Sequence, residues 1–191
     1  MLEKAKSGII IDSAQRLEKV LKNRQEIPVP REVLKRQKIF DVTYFSFDEK
    51  LHQGQLVMDT NVISDIRKVF NLIRKIKFPI RTVIPFVDRS AMSKEEVLAT
   101  LNNSSAFNYR LIRGSNILSN HAFGRAIDIN PFLNPFIDGN HVLPEGARYD
   151  PKASGTLLAN GNVVVCFKKM GWVWGGDWKD KKDYMHFEKS Y

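Results

Sequence analysis

The most regular hydrophobic pattern in the chain lies between residues 60 and 78, in the segment TNVISDIRKVFNLIRKIKF. Apolar residues recur there every three or four positions, which is the spacing of one face of an α-helix. They are Val62, Ile63, Ile66, Val69, Phe70, Ile73 and Ile76. Asp59 or Thr60 stands where a side-chain oxygen could cap the first free N–H groups. We therefore predict an amphipathic helix with this face on the core.

A second pattern, with a period of two, precedes this helix. In FDVTYFSFDEKLHQGQLVMD, residues 40–59, the apolar side chains of Phe40, Val42 and Tyr44 alternate with polar ones. Such alternation is typical of a strand with one buried face. The polar stretch Asp48–Lys50 divides the segment, so we predict two strands joined by a turn.

The remaining segments predict shorter elements. We expect strands in residues 79–88, 107–114 and 124–131, a final strand in DYMHFE, and a short helix in residues 92–103 with Ser93 and Glu96 as a capping box. Residues 130–161 are rich in Pro, Asn and Gly and predict a long loop. NVVVCFKKMGW, residues 162–172, fits a strand or a helix. Helices packed on a mostly antiparallel sheet, an α+β fold, is the predicted class.

The first 30 residues predict a separate arm. Residues 13–25 have Leu17, Val20 and Leu21 on one helical stripe, and the two prolines of EIPVPREV then interrupt the pattern. We therefore divide the chain into a helical arm and linker, residues 1–30, and one domain, residues 31–191.

Composition narrows the functional classes. The chain has 191 residues, 43% of them hydrophobic, with no window approaching the roughly 18 apolar residues of a membrane span. Cys166 is the only cysteine, so any bound metal must be held by histidine and carboxylate. Either the protein stays in the cytoplasm or a leader has been removed.

The net charge of +9 fits a polyanionic environment such as nucleic acid, acidic lipid or an anionic cell wall. The basic residues are dispersed, however, and no nucleic-acid-binding motif occurs. We interpret them as a solvated basic surface and expect no nucleic-acid partner.

One group of polar residues suggests a metal site. In RAIDIN, residues 125–130, alternation puts Ile127 on one face and Asp128 on the other. His121 precedes this strand by a turn through Gly124, and His186 on the last strand offers a third ligand. Two imidazoles and a carboxylate suit Zn²⁺ with a fourth position for water. Asp183 could then take a proton from that water. The alternative, a core histidine with surface salt bridges, fits the spacing alone equally well.

A family resemblance weighs against that alternative. SNHAFGRAID, residues 119–128, matches the SxHxxGxAxD motif of the VanY-like D-Ala-D-Ala carboxypeptidases, and DYMHFE, residues 183–188, matches their second motif. NNSSAFNYR, AIDINPFLNPF and GWVWGGDW also resemble this branch, so the likeness extends from about Ile27 to Lys189. These enzymes belong to a wider group of zinc peptidases with D-Ala-D-Ala dipeptidases and phage L-Ala-D-Glu endolysins.

The resemblance implies a fold like that of DD-peptidases and the hedgehog signalling domain, and a role for each site residue. His121, Asp128 and His186 would hold the zinc, Asp183 would be the general base, and Arg110 would bind a substrate carboxylate or the oxyanion. Ser119 would shape the loop or contact substrate. Many relatives have Glu in place of Asp183, while the endolysin-like branch has Asp.

We predict that Trp178 lies at the wall of the cleft, because of the residues next to it in sequence. It follows two glycines, which would let the backbone approach a ligand, and it is close in sequence to the base. The sequence gives no role to His52 or His141.

The expected function is zinc-dependent cleavage of a peptide bond in bacterial cell-wall stem peptides by a monomer in the cell envelope. Removal of a terminal D-Ala is favoured, and L-Ala-D-Glu endopeptidase activity is the alternative. A zinc-holding binding module without turnover, and a basic nucleic-acid binder, are the rivals from other classes.

Overall fold

The structure, a computed structural model, describes residues 8–22, 27–85, 97 and 100–190. Its helices are α1 (Leu17–Lys22), α2 (Arg31–Arg36), α3 (Ile63–Lys75) and α4 (Asn162–Lys169). Its strands are β1 (Ile10–Ile11), β2 (Gln37–Phe45), β3 (Leu51–Asp59), β4 (Thr82–Val83), β5 (Asn103–Ser104), β6 (Ala126–Asp128), β7 (Phe136–Asp138), β8 (His141–Leu143), β9 (Val173–Trp174), β10 (Lys182–Asp183) and β11 (His186–Glu188). This mixture confirms the predicted α+β class.

The largest sheet has the order β1–β3–β2. Strands β2 and β3 pair antiparallel over nine residues each, from Gln37 opposite Asp59 to Phe45 opposite Leu51. A turn closes the hairpin, with the Ser46 N–H donating to the Lys50 carbonyl oxygen at 3.0 Å. The predicted pair of strands and its turn are therefore confirmed, and β2 begins three residues earlier than the pattern indicated.

Helix α3 packs on β2 and confirms the strongest sequence prediction. The residues that it buries follow the predicted stripe and are Ile66, Val69, Phe70 and Ile73. Ile76 was wrongly assigned to this stripe: it is 39% exposed, because the helix ends at Lys75. The predicted cap was also wrong. The N-cap is Val62, without a side-chain hydrogen bond, since the carboxylate of Asp59 pairs with Arg36.

A second sheet, β6–β11–β9, contributes to the same hydrophobic core. Its strands are antiparallel, with Phe187 opposite both Ile127 and Trp174. All three side chains are buried, and the ring of Phe167 from α4 stacks on Phe187 at 3.9 Å. The ambiguous segment after residue 161 is thus a helix, whose buried face completes this core.

Two predictions in the middle of the chain were wrong. Residues 107–114 do not form a strand, because their backbone bonds go to different elements: the Phe107 N–H donates to Val57 and the Asn108 N–H to His121. The segment then folds back, with an isolated bridge between Leu111 and Leu118. The predicted loop of residues 130–161 contains the hairpin β7–β8, and β7 also pairs with β10.

The capping box at Ser93 and Glu96 lies outside the described residues, as do most of the predicted helix 92–103 and residues 86–88 of the strand predicted before it.

The described residues of the N-terminal segment, 8–22, contact the large sheet. Strand β1 pairs parallel with β3, and Val20 of α1 is buried against Val57, Phe107 and Tyr109. Division of the chain at residue 30 stays a prediction. Within the part of the chain that the structure describes, no helix combines the length and the apolar character needed to cross a membrane.

Candidate metal centre

The position of His121 depends on a tight turn. At its start, the Ser119 hydroxyl accepts a hydrogen bond from the His121 backbone N–H at 3.3 Å. Gly124 ends the turn with a φ of 66°, a left-handed conformation that glycine adopts without steric cost. A Cβ at this position would also collide with the backbone of β3. The chain then enters β6, so the bend returns the imidazole towards Asp128, as the sequence predicted.

Asp128 and His186 are opposite each other on neighbouring strands. They are paired residues in the antiparallel ladder of β6 and β11. Their neighbours Ile127 and Phe187 are fully buried in the core. Because successive side chains of a strand point to opposite faces, Asp128 and His186 lie together on the face turned away from that core.

Three potential ligand atoms meet on this face: Nε2 of His121, Oδ1 of Asp128 and Nδ1 of His186. Nε2 of His121 lies 3.2 Å from each of the other two atoms, which are 3.1 Å apart. In a tetrahedral zinc site with bonds of roughly 2.0 Å, neighbouring ligand atoms are about 3.3 Å apart. The triangle has the size of one face of such a tetrahedron, so the residues present fit a metal ion with a fourth position free.

The outer nitrogen of each histidine is fixed by a hydrogen-bond acceptor. Nδ1 of His121 is 2.5 Å from the carbonyl oxygen of Ala106, and Nε2 of His186 is 3.0 Å from Oε2 of Glu188. Since these oxygens can only accept, both outer nitrogens carry a proton, and the inner nitrogens are the ones that face a metal ion. A carboxylate behind a histidine ligand is a common orienting device in metal sites.

Glu188 is a further candidate site residue that was not predicted from the sequence. Its Oε2 also accepts a hydrogen bond from the side-chain amide of Asn120, at 2.8 Å. Strand alternation could have found it, because residues two apart on β11 share a face. The glutamate that ends DYMHFE must therefore lie beside His186.

Within the triangle, Asp128 and His186 stabilise each other's charged forms. Burial raises the pKa of Asp128, but the charge and hydrogen bonds of His121 and His186 outweigh this and hold the pKa below its usual range. Burial lowers the pKa of His186, whereas hydrogen bonds to Asp128 and Glu188 raise it, with a net value of about 10. Without a metal, His186 therefore carries a second proton at neutral pH, which a metal ion would displace.

Asp183 lies next to the triangle on a different sheet. It belongs to β10, which pairs with β7, while His186 belongs to β11, so strand alternation breaks between them. Burial raises the pKa of Asp183 to about 6, and the charge of Asp128 adds to this effect. Its Oδ1 is buried and has no hydrogen-bond partner among the described residues. An unpaired buried carboxylate oxygen with a raised pKa is suited to accept a proton from a ligand.

The two glycines before Trp178 have a different role from the predicted one. A Cβ on Gly175 would lie 2.5 Å from the Asp183 carbonyl oxygen, and one on Gly176 would overlap the ring of Trp174. The glycines therefore make room for Asp183 and Trp174 rather than for a ligand.

The other predicted site residues surround the triangle at greater distance. The positive charge of Arg110 lowers the pKa of Asp183, so its guanidinium lies within electrostatic range of that carboxylate. The Arg110 carbonyl oxygen accepts from the Ser119 N–H at 3.1 Å, which joins both residues to the turn of His121. Trp178 is partly exposed, with its ring 5.6 Å from that of His186.

The two remaining histidines lie elsewhere. Nδ1 of His52 is 2.9 Å from the carboxylate of Asp12 in the N-terminal segment, and its Nε2 is 3.1 Å from that of Asp48. His141 is on the exposed β7–β8 hairpin, where its Nε2 lies 3.4 Å from the guanidinium of Arg113.

Comparison with known proteins points to the same half of the chain. A family model described as D-alanyl-D-alanine carboxypeptidase matches residues 113–189. This range contains the three residues of the triangle, Asp183 and Glu188, and begins just after Arg110. The match covers less than half of the chain and supports a peptidase, without distinguishing subgroups of the family. No solved structure matched the chain.

Proposed function

We propose that the protein is a zinc peptidase that hydrolyses a peptide bond in peptidoglycan stem peptides. The observation that supports this most is the triangle of His121, Asp128 and His186, which has the edge lengths of a tetrahedral zinc site. A zinc ion bound there would polarise the substrate carbonyl and lower the pKa of water towards ~7. An open fourth position distinguishes such catalytic sites from closed structural ones.

The protein's own groups would carry out the proton transfer. Asp183, whose Oδ1 has no hydrogen-bond partner among the described residues, takes the proton of the attacking water and delivers it to the leaving amine. In the metal-free protein, burial raises its pKa to about 6, so this carboxylate binds a proton more readily than an ordinary aspartate does.

The surrounding side chains hold the substrate. Arg110 neutralises negative charge, either on the oxyanion or on a substrate carboxylate. Trp178 forms the wall of the cleft beside His186. Ser119 is buried and caps the turn of His121, so its role is to shape the loop.

For the bond that is cut, we favour the one before a terminal D-Ala, in keeping with the description of the matched family. The shorter Asp at position 183 favours the alternative, cleavage between L-Ala and D-Glu, because the endolysin-like branch shares it. Both substrates occur in the cell envelope, where we expect the protein to act as a monomer.

The test uses the zinc-loaded protein and a defined muropeptide with a pentapeptide stem. Mass spectrometry of the products reports activity and the cleaved bond together. We expect Asp183→Asn to lower kcat by about 10²-fold or more while the zinc content stays at the wild-type level. Asp180→Asn, an exposed acid in the same segment, is the matched control and should keep full activity.

Two outcomes would contradict the proposal. If Asp183→Asn hydrolyses the muropeptide as fast as the wild type, Asp183 is not the base. If the wild type binds zinc but cleaves no stem peptide, the protein is a binding module without turnover.

A further inference from the structure

Lys181 lies at the edge of the metal centre, with its ammonium group between two aromatic rings. Its Nζ is 5.7 Å from the centre of the Trp178 ring and 5.8 Å from that of Phe136. Both distances are within the range of cation–π attraction. These two contacts hold a long and otherwise flexible side chain in one region of the surface.

Both rings border the site itself. The ring of Trp178 lies 5.6 Å from that of His186, and Phe136 is the strand partner of Asp183 in the ladder of β7 and β10. Because the Trp178 ring is 5.7 Å from the Lys181 ammonium and 5.6 Å from the His186 ring, the ammonium lies at most about 11 Å from the His186 ring. An extended peptide covers 3.3–3.6 Å per residue, so this separation corresponds to about three residues of a bound substrate at most.

Lys168 and Lys182 bond to oxygen atoms of the protein, whereas the contacts of Lys181 among the described residues are with the two aromatic rings. Lys168 forms an ion pair with Asp177 at 2.6 Å. Lys182 donates to the carbonyl oxygens of Gly176 and Trp178, at 3.2 and 2.6 Å. Lys181 is exposed, and no carboxylate of the described residues lies within ion-pair distance of it. The aromatic faces carry no formal charge, so its three N–H donors stay available to a ligand.

We propose that Lys181 determines specificity by binding a free carboxylate of the substrate within about three residues of the cleaved bond. This inference rests on the proposed function and adds a substrate feature to it. Stem peptides carry such groups, at the α-carboxyl of the γ-linked glutamate and on diaminopimelate, and each can be free or amidated. Lys181 therefore favours the free acid over the amide.

The experiment compares two synthetic stem peptides that differ only in carboxylate or carboxamide at one of these positions. Both are measured on wild type, Lys181→Met and Lys179→Met with zinc bound. Methionine keeps most of the apolar stem of lysine and removes the charge. Lys179, an exposed lysine two residues away, is the control.

We expect the wild type to prefer the carboxylate peptide by about five- to tenfold in kcat/KM, the size of a partly screened charged hydrogen bond. The preference should reside in KM, because the contact is the same in ground state and transition state. Lys181→Met should reduce the ratio to about one, and Lys179→Met should leave it unchanged. A merely structural lysine would change the rates for both peptides alike and keep their ratio.

Binding of the same peptides to Asp183→Asn, measured by calorimetry, separates this inference from the proposed function. A carboxylate preference that disappears in the double variant Asp183→Asn/Lys181→Met supports Lys181 even if the wild type hydrolyses neither peptide. The proposal is overturned if neither peptide binds, if the carboxylate causes no preference in binding at either position, or if the preference survives Lys181→Met.

Discussion

The substitution Glu188→Gln tests how far the metal centre depends on the carboxylate behind His186. Glu188 accepts one hydrogen bond from His186, at 3.0 Å, and one from Asn120, at 2.8 Å. Both partners are donors. Both reach the same oxygen, Oε2. A glutamine can place its single acceptor oxygen there and still accept from both, so the substitution removes the negative charge and keeps the hydrogen bonds.

The expected loss follows from these contacts. Hydrogen bonds to charged groups contribute about 1.5–3 kcal/mol, roughly twice as much as neutral ones, so loss of the charge removes about half of this energy. The Glu188 side chain is 25% exposed, and solvent screening keeps the effect near about 1 kcal/mol. Such a loss corresponds to a roughly fivefold weaker metal affinity, less than the about 10- to 100-fold effect of removing an orienting group altogether.

The assay is competition for zinc between the protein and a chromophoric chelator at fixed pH and salt. Glu145→Gln, at an exposed position on the loop after β8, is the matched control and should bind zinc as the wild type does. An affinity of Glu188→Gln within twofold of the wild type would refute the reasoning that Glu188 orients and charges the imidazole of His186.

Three further predictions concern titration and stability. Because His186 has a pKa of about 10 without metal, zinc must displace a proton below that pH, so its affinity should rise about tenfold per pH unit between roughly pH 7 and 9. Calorimetry in buffers of different ionisation enthalpy should show about one proton released at pH 7.5, and a pH-independent affinity would contradict this. The same raised pKa stabilises the metal-free fold below the unfolded-state pKa of 6.5, and this contribution is lost as the pH rises through about 10. His52→Ala should lower the free energy of unfolding by about 1–3 kcal/mol, because it removes a buried imidazole together with its hydrogen bonds to Asp12 and Asp48, although Tyr44 remains a donor to Asp12. In urea denaturation the exposed control His141→Ala should change it by less than about 0.5 kcal/mol, and equal effects of the two substitutions would contradict the argument.

The site could be predicted from sequence to the extent that local periodicity determines it. Alternation in RAIDIN placed Ile127 in the core and Asp128 on the opposite face, and a glycine at position 124 allowed the bend that brings His121 back. The same rule, applied to the last strand, would have found Glu188. These inferences succeeded because burial of one face of a strand fixes the direction of the side chains on its other face.

The predictions that were wrong depended on contacts far away in sequence. Residues 107–114 have the composition of a strand, but their N–H groups reach β3, the turn of His121 and a local hairpin in succession. Asp59 looks like a helix cap, but Arg36 competes for its carboxylate. The place of Lys181 between two rings depends on the hairpin β7–β8, which lies within a segment that reads as a loop. Contacts between residues so far apart in sequence cannot be predicted from a local pattern.

The coordination of zinc in the purified protein, measured by metal analysis and X-ray absorption, tests the central claim most directly. We expect one zinc ion per chain with only nitrogen and oxygen ligands at about 2.0 Å, and loss of the ion in His121→Ala. A protein that binds no zinc, or a zinc spectrum with a sulfur neighbour at about 2.3 Å from Cys166, would contradict the claim that His121, Asp128 and His186 form the metal centre.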